Sequence, residues 1–325
     1  MENNYWIVDD WIIFKHKFNE GLDEYYDIIN KYKKIMFSNY DDPEIVIKTN
    51  NRYDKKYENN YFHQEIDLSN NINLMHLTFR GYYNQEINLS NNINLTHLTF
   101  IGNFNFNQEI NLSNNINLTH LIFSDEFNQE INLSNNIHLT HLTFGYGFNK
   151  EIDLSNNINL THLTFEVCFN KEIDLSNNIH LTHLTFGFNF NNKIDLSNNI
   201  NLTHLTFGYI FNQEIFIPLN VKSLTMYYCN NQYIIDYLHN NIEELYIYQT
   251  NLNLNNLPNS IKKICINYYH KELNNLPNSI EYLELNDYKL KIKKIPKNLK
   301  TIKCAKDYKY IDDFKDYEVY EVTIY

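Results

Sequence analysis

The motif Asn-Leu-Thr-His-Leu-Thr-Phe returns, with small variations, at a near-fixed interval, and that interval limits what this chain can fold into. Its histidine falls at His76, His97, His120, His141, His162, His183 and His204, at spacings of 21, 23, 21, 21, 21 and 21 residues. One unit of that length cannot bury its own apolar face, so copies must stack and share a core. The expected product is a solenoid. Function in such a molecule is a property of an extended surface rather than of one enclosed cleft.

Each unit divides into a strand and a return. In the unit from Phe148 to Phe165, Leu160, Leu163 and Phe165 follow the spacing L-x-x-L-x-F, that of a leucine-rich-repeat core. His162 to Phe165 alternates polar and apolar, and Thr and Phe favour strands. Leu163 and Phe165 should therefore point inward, and His162 and Thr164 outward. Phe148, Ile152, Leu154 and Ile158 are the expected apolar contacts of the return, while Ser155-Asn156-Asn157 supplies turn chemistry. A unit of 21 residues leaves little room for a return helix, so extended or short 3-10 structure is expected there. The fold class expected is α/β but β-rich. It is a leucine-rich-repeat-type right-handed solenoid with one parallel sheet on its concave face, an extended or 3-10 convex side, and a small helical N-terminal cap.

Stacking in register places equivalent residues about 4.8 Å apart. Phe100, Phe123, Phe144, Phe165, Phe186 and Phe207 should form one internal column. The Phe-Asn pairs Phe106-Asn107, Phe127-Asn128, Phe148-Asn149, Phe169-Asn170 and Phe211-Asn212 should form a second, with the asparagine bonding the backbone of the next turn. After Phe207 the anchors continue at Leu224, Leu245, Ile264, Leu283 and Ile302, mostly 19 residues apart, and Val322 is the expected anchor of a last edge strand. Upstream, residues 22–38 read as an amphipathic helix with Ile28, Ile29, Tyr32, Ile35 and Met36 on one face, and Glu44 to Lys48 as a capping strand. The domain reading is a cap over residues 1–60, regular repeats over 61–215, and divergent repeats with a C-terminal cap over 216–325.

The units resemble FNIP repeats, a short leucine-rich-repeat class abundant in social amoebae and in giant DNA viruses of amoebae. The resemblance rests on Leu-Thr-His-Leu-Thr-Phe-Gly followed by Phe-Asn-Gln/Lys-Glu-Ile, as in Leu139 to Ile152 and Leu202 to Ile215, and covers residues 62–304. The class usually has Leu-Pro before the strand. Here the regular units have Leu-Ser, as at Leu89-Ser90, and Leu-Pro stands only at Leu257-Pro258 and Leu276-Pro277. The resemblance implies a protein-interaction scaffold. Members often carry an N-terminal F-box, so it also implies an alternative: an adaptor of a cullin-type ubiquitin ligase through a degenerate F-box-like N-terminus. Residues 1–40 lack the opening Leu-Pro of that motif.

Charge narrows the partners. Residues 61–207 carry four Lys/Arg against thirteen Asp/Glu, a net of −9, whereas residues 208–325 carry fourteen of each. An acidic array with few cations argues against phosphate-backbone binding. Nine lysines lie between Lys289 and Lys309, but Asp312, Asp313 and Asp316 follow, so a solvated surface is expected rather than a nucleic-acid patch. Cys168, Cys229, Cys265 and Cys304 show no metal spacing and fit a reducing compartment, and no apolar run reaches membrane-spanning length. The expectation is a soluble monomer in the host cytoplasm, with no nucleic-acid or membrane partner.

Catalysis has no motif to rest on. Carboxylates such as Glu151 and Asp153 repeat at one corner of many units, and a repeated carboxylate is a solvated surface rather than a unique acid–base pair. The chain is read as a non-enzyme without cofactor or metal. The ladder His97, His120, His141, His162, His183, His204 could in principle bind metal or sense pH, but a flat ladder supplies no closed coordination geometry. It is read as structural. Partner binding is assigned to the outward positions of the divergent units: Ser223, Thr225, Glu244, Tyr246, Lys263, Tyr282, Glu284 and Lys303. Tyrosine beside charge of both signs is typical of protein interfaces.

Overall fold

The structure is a computed structural model and describes residues 4–15, 18–38, 62, 64–101 and 106–322. The chain forms two compact units, Met1–His180 and Leu181–Tyr325.

The first unit begins with an antiparallel hairpin, β1 (Tyr5–Val8) and β2 (Trp11–Phe14). Parallel strands follow: β3 (Lys34–Phe37), β5 (His76–Arg80), β7 (His97–Ile101), β8 (His120–Ile122), β9 (His141–Phe144) and β10 (His162–Phe165). Each pairs with the next in full register, so His141 lies opposite His162 and Phe144 opposite Phe165. Two short strands, β4 (Ile66–Asp67) and β6 (Ile87–Asn88), pair separately on the return side. Between β7 and β10 the described return residues form turns without helix.

Inward and outward positions follow the alternation. Leu163 and Phe165 are buried, while His162 and Thr164 are half-buried on the other face. The phenylalanines form paired inner columns. Phe123, Phe144 and Phe165 stack along the strands at centroid distances of 5.5 and 5.4 Å. Phe127, Phe148 and Phe169 stack at the corner at 6.1 Å, and each meets its strand partner at 3.8 to 3.9 Å. Each buried ring stabilises by about 1.5–3 kcal/mol, which makes this double column the main apolar core.

The second buried column is polar. Asn71, Asn92, Asn115, Asn136 and Asn157 are almost wholly buried. In each rung the amide Nδ2 donates to two carbonyls of the preceding turn: Asn157 to Leu133 at 3.0 Å and to Asn136 at 2.9 Å. Asn71 starts the column by donating to the carbonyls of Ile29 and Tyr32, at the end of the one-turn helix α1 (Tyr26–Ile29). The Leu133, Asn136 and Ile29 carbonyls each also accept one backbone N–H, so the repeated side chain supplies their second hydrogen bond.

That column corrects one expectation. Asn157 takes the inward position in Ser-Asn-Asn-Ile, so Ile158 is turned out and is 49% exposed. Ile72, Ile93, Ile116, Ile137 and Ile179 behave alike, at 43–56% exposure. Ile158→Ser should change unfolding free energy by less than about 0.5 kcal/mol in a denaturant titration, the usual range for surface positions. A loss of several kcal/mol would place Ile158 in the core after all.

The N-terminal expectation also changes. Helix forms over only part of residues 22–38, as a 3-10 turn at Asp23–Tyr25 followed by α1. Lys34–Phe37 is strand, with Ile35 opposite Leu77 and Phe37 opposite Phe79. The run Ile35-Met36-Phe37 gains more by completing the sheet and stacking Phe37 on Phe14 and Phe79, at 5.1 and 5.2 Å, than by extending a short helix. Residues 44–48 lie outside the described residues, and the strands that cap the first unit are β1, β2 and β3.

The second unit holds β11 (His183–Phe186), β12 (His204–Phe207), β13 (Ser223–Cys229), β14 (Glu244–Thr250), β15 (Lys263–Asn267), β16 (Tyr282–Asn286), β17 (Thr301–Ala305) and β18 (Glu318–Val322), again parallel. Leu224, Leu245, Ile264, Leu283 and Ile302 anchor successive rungs and are fully buried. In the last strand Val319, not Val322, takes the register opposite Ile302. Phe190 joins Phe211 at the corner, 6.1 Å away, a position the sequence reading passed over. In place of the corner phenylalanine, later rungs bury Tyr269, Tyr288 and Tyr308, whose hydroxyls reach backbone groups at Leu252, Leu273 and Leu290.

Candidate interaction face

Two different outward faces result. In the first unit, His76, His97, His120, His141 and His162 stack ring on ring at 4.1 to 4.3 Å, tilted by no more than 14°. In the second unit His183 and His204 stack at 4.1 Å. Trp11 closes the end of the first column edge-on to His76 at 5.7 Å.

Several of these histidines are tied to the preceding rung through a threonine. Thr140 Oγ1 donates to the Thr119 carbonyl at 3.0 Å, and the same oxygen lies 2.9 Å from His141 Nδ1. The hydroxyl thus bridges the ring to the preceding rung, whose Thr119 carbonyl also accepts the backbone N–H groups of Thr140 and His141. Thr96 with His97 and Thr119 with His120 repeat this relay. Burial, then repulsion from neighbouring histidines, holds His97 and His141 down to about 4 and lowers His120 as well. His76, His97, His120 and His141 are therefore neutral at pH 7. Their rings are near parallel, so adjacent lone pairs cannot converge on one ion. Among the described residues no group of three or more His, Cys, Asp or Glu could hold a metal ion.

The second unit presents a varied face, because register brings different side chains together. One outward row reads Ser223, Glu244, Lys263, Tyr282, Thr301 and Glu318. The next reads Thr225, Tyr246, Cys265, Glu284, Lys303 and Tyr320. All eight residues assigned to binding from sequence fall in these two rows, and the structure links most of them directly.

Glu284 is the hub of one cluster. It accepts from Lys303 Nζ at 2.9 Å, Asn286 Nδ2 at 2.9 Å and the Tyr282 hydroxyl at 3.1 Å. Burial raises its carboxyl, but these hydrogen bonds and the Lys303 charge outweigh it and hold the group below its usual range. Burial and the Glu284 charge push the Tyr282 hydroxyl and the Cys265 thiol each up to about 12. Cys265 is thus a thiol at neutral pH and 3.6 Å from Glu284 Oε2. Glu244 accepts from Tyr246 at 2.8 Å and Ser223 at 3.5 Å. Lys263 Nζ stands 5.2 Å from the ring centroids of both Tyr246 and Tyr282.

Sequence reasoning missed two members of this face. Tyr227 and Tyr248 stack at 4.5 Å and are 43% and 39% exposed. Their signal was the longer strands β13 and β14, whose outward alternation runs one residue pair further than in the regular units. The C-terminal lysines behave as a paired surface: Lys289, Lys291, Lys293 and Lys300 bridge to Asp307, Asp313, Glu272 and Glu281 at 2.6 to 3.1 Å. No helix of the described residues is long and apolar enough to cross a membrane.

No protein-family model matches the chain, and no curated protein matches it. Solved structures do. The internalin inlF from Listeria monocytogenes is similar over 82% of this chain and 86% of its own, at 16% identity and a TM-score of 0.52. CroV588, described as a circular leucine-rich-repeat protein, is similar over 94% of this chain at 26% identity and a TM-score of 0.47; this chain spans 58% of that protein's length. The functional domain of InlJ from Listeria monocytogenes is similar over 77% of this chain and 68% of its own, at 17% identity and a TM-score of 0.47. The inlF likeness and the in-register parallel rungs define a leucine-rich-repeat-type solenoid, and at 16% identity they define the fold alone.

Proposed function

We propose that this chain is a non-enzymatic repeat scaffold that holds a protein partner on the outward face of its second unit. The observation that carries this reading is the linked cluster of Tyr246, Lys263, Tyr282, Glu284 and Lys303. Aromatic and charged side chains there are fixed to one another before any partner arrives. Preorganised aromatic residues lose little entropy on binding, which is why they dominate interface energetics. The regular rungs offer His and Thr, with Ile122 the exception, and serve as structural spacing.

The units belong in this reading to the FNIP class of amoebae and their giant viruses, on the strength of Leu139 to Ile152 and its copies. The unbridged Cys168, Cys265 and Cys304 support a reducing intracellular setting. The adaptor alternative gains no support, since residues 5–14 and 34–37 are strand where an F-box would need helices.

Affinity capture with the intact chain tests the face. Tyr246→Ala with Tyr282→Ala should reduce partner retention at least about tenfold, the loss of one modest hot spot, with melting temperature little changed. Unchanged retention would remove the assignment.

A further inference from the structure

We propose that Lys263, clamped between Tyr246 and Tyr282, is a seat for a carboxylate of the partner, which is an acidic peptide segment carrying an aromatic or large aliphatic residue beside the acid. The inference rests on the binding-face reading above and names what that face recognises.

The polar groups around Lys263 already have partners of their own. Lys303 is ion-paired with Glu284 at 2.9 Å, and Glu284 is filled by Asn286 and Tyr282 besides. Glu244 accepts from the hydroxyls of Tyr246 and Ser223 and keeps its negative charge. Lys263 differs. Its ammonium is 5.2 Å from two ring centroids, and among the described residues it forms no ion pair. A hydrogen bond with Tyr246, opposed by partial burial, raises its pKa, so it stays charged throughout the physiological range.

A lysine on a mobile stem gains little from a surface carboxylate, because fixing the stem costs side-chain entropy. Here the rings have fixed it already. An incoming carboxylate would meet an ordered, partly desolvated cation whose nearest competitors are occupied, which favours a charge-assisted hydrogen bond.

The surroundings define the rest of the ligand. Tyr248 lies two residues along β14 from Tyr246 on the same face, about 7 Å away, and its stack with Tyr227 is exposed. That pair is an apolar platform beside the cation. Glu244 and Glu284 flank the seat in adjoining rungs, and their negative charge penalises a phosphate dianion more than a carboxylate. The geometry fits an acid next to an apolar side chain.

A random linear peptide library displayed on phage and panned against the intact chain tests this directly. Wild type should enrich peptides with Asp or Glu beside an aromatic or aliphatic residue. Lys263→Met should lose that acidic enrichment, and the selected peptides should bind it at least about tenfold more weakly, whereas Lys263→Arg should retain them. Selected peptides that lack acidic enrichment, yet lose binding with Tyr246→Ala, would overturn the carboxylate seat and leave the face standing. Peptides that bind tighter once phosphorylated would also overturn it. Failure to select any peptide sensitive to Tyr246→Ala or Tyr282→Ala would overturn both readings.

Discussion

Asn157→Ala should destabilise the first unit by about 2–4 kcal/mol, more than any polar-to-alanine change on its surface. The Asn157 side chain is fully buried and donates to the carbonyls of Leu133 and Asn136, while its backbone carbonyl accepts from Asn178 Nδ2 at 2.9 Å. Truncation removes two buried hydrogen bonds and leaves a void between rungs. Asn157→Asp should be at least as costly, because it turns a carboxylate oxygen toward carbonyl oxygens. The adjacent Asn156 provides the control: its single exposed bond to Ser134 is 3.3 Å long, so Asn156→Ala should cost under about 1 kcal/mol. Repeat arrays need not unfold in one step, so amide hydrogen exchange of the rungs on either side is the suitable readout. Equal protection in the two alanine variants would show that the buried asparagine column is dispensable.

Acid should weaken the first unit before its carboxylates protonate. His97 and His141 titrate near 4 in the fold, against about 6.5 when unfolded, and His76 and His120 are lowered too. Between pH 6.5 and 4 the unfolded chain binds more protons, so the histidine contribution is complete above 6.5 and is lost as pH falls toward 4. These rings are partly solvated, so about 1 kcal/mol each is a suitably screened figure for His97 and His141, or about 2 kcal/mol for the two, with His76 and His120 acting in the same direction. Unfolding followed from pH 7.5 to 4 should show that decline, and His141→Asn should flatten it. A stability that is level across this window would mean that burial does not hold these histidines neutral.

Much of the architecture was legible in the residues, and the reasons are specific. Leu163 and Phe165 repeat at a period of two within the strand and 21 along the chain, so both their facing and their stacking follow from the sequence. The turn was less legible. Asn156 and Asn157 are chemically identical neighbours, and only the backbone path decides which enters the core and therefore that Ile158 leaves it. The N-terminal segment shows the other kind of failure. Ile35 and Met36 satisfy a helical pattern with Ile28 and Ile29, yet the open sheet edge at β5 offered them parallel pairing instead.

The binding face was legible as a set of outward positions but not as a cluster. Tyr246, Lys263 and Tyr282 lie on three different rungs, 36 residues from first to last, and only the register sets Lys263 between the two rings. The divergence that marked these rungs in the sequence is the same feature that lets unlike side chains meet. In the regular rungs the outward columns repeat His and Thr, broken at Ile122, so most side chains meet their own kind.

Site-specific photo-crosslinking in cells that produce the intact chain tests the central division most directly. One photoreactive residue replaces Thr225 in the divergent rungs, and in a separate variant another replaces Thr143 in the regular rungs. Both positions face outward at equivalent points of their strands. A discrete cross-linked partner at position 225 with none at 143 is the expected result. A partner captured at 143 and absent at 225 would contradict it, and would move function onto the histidine-threonine array.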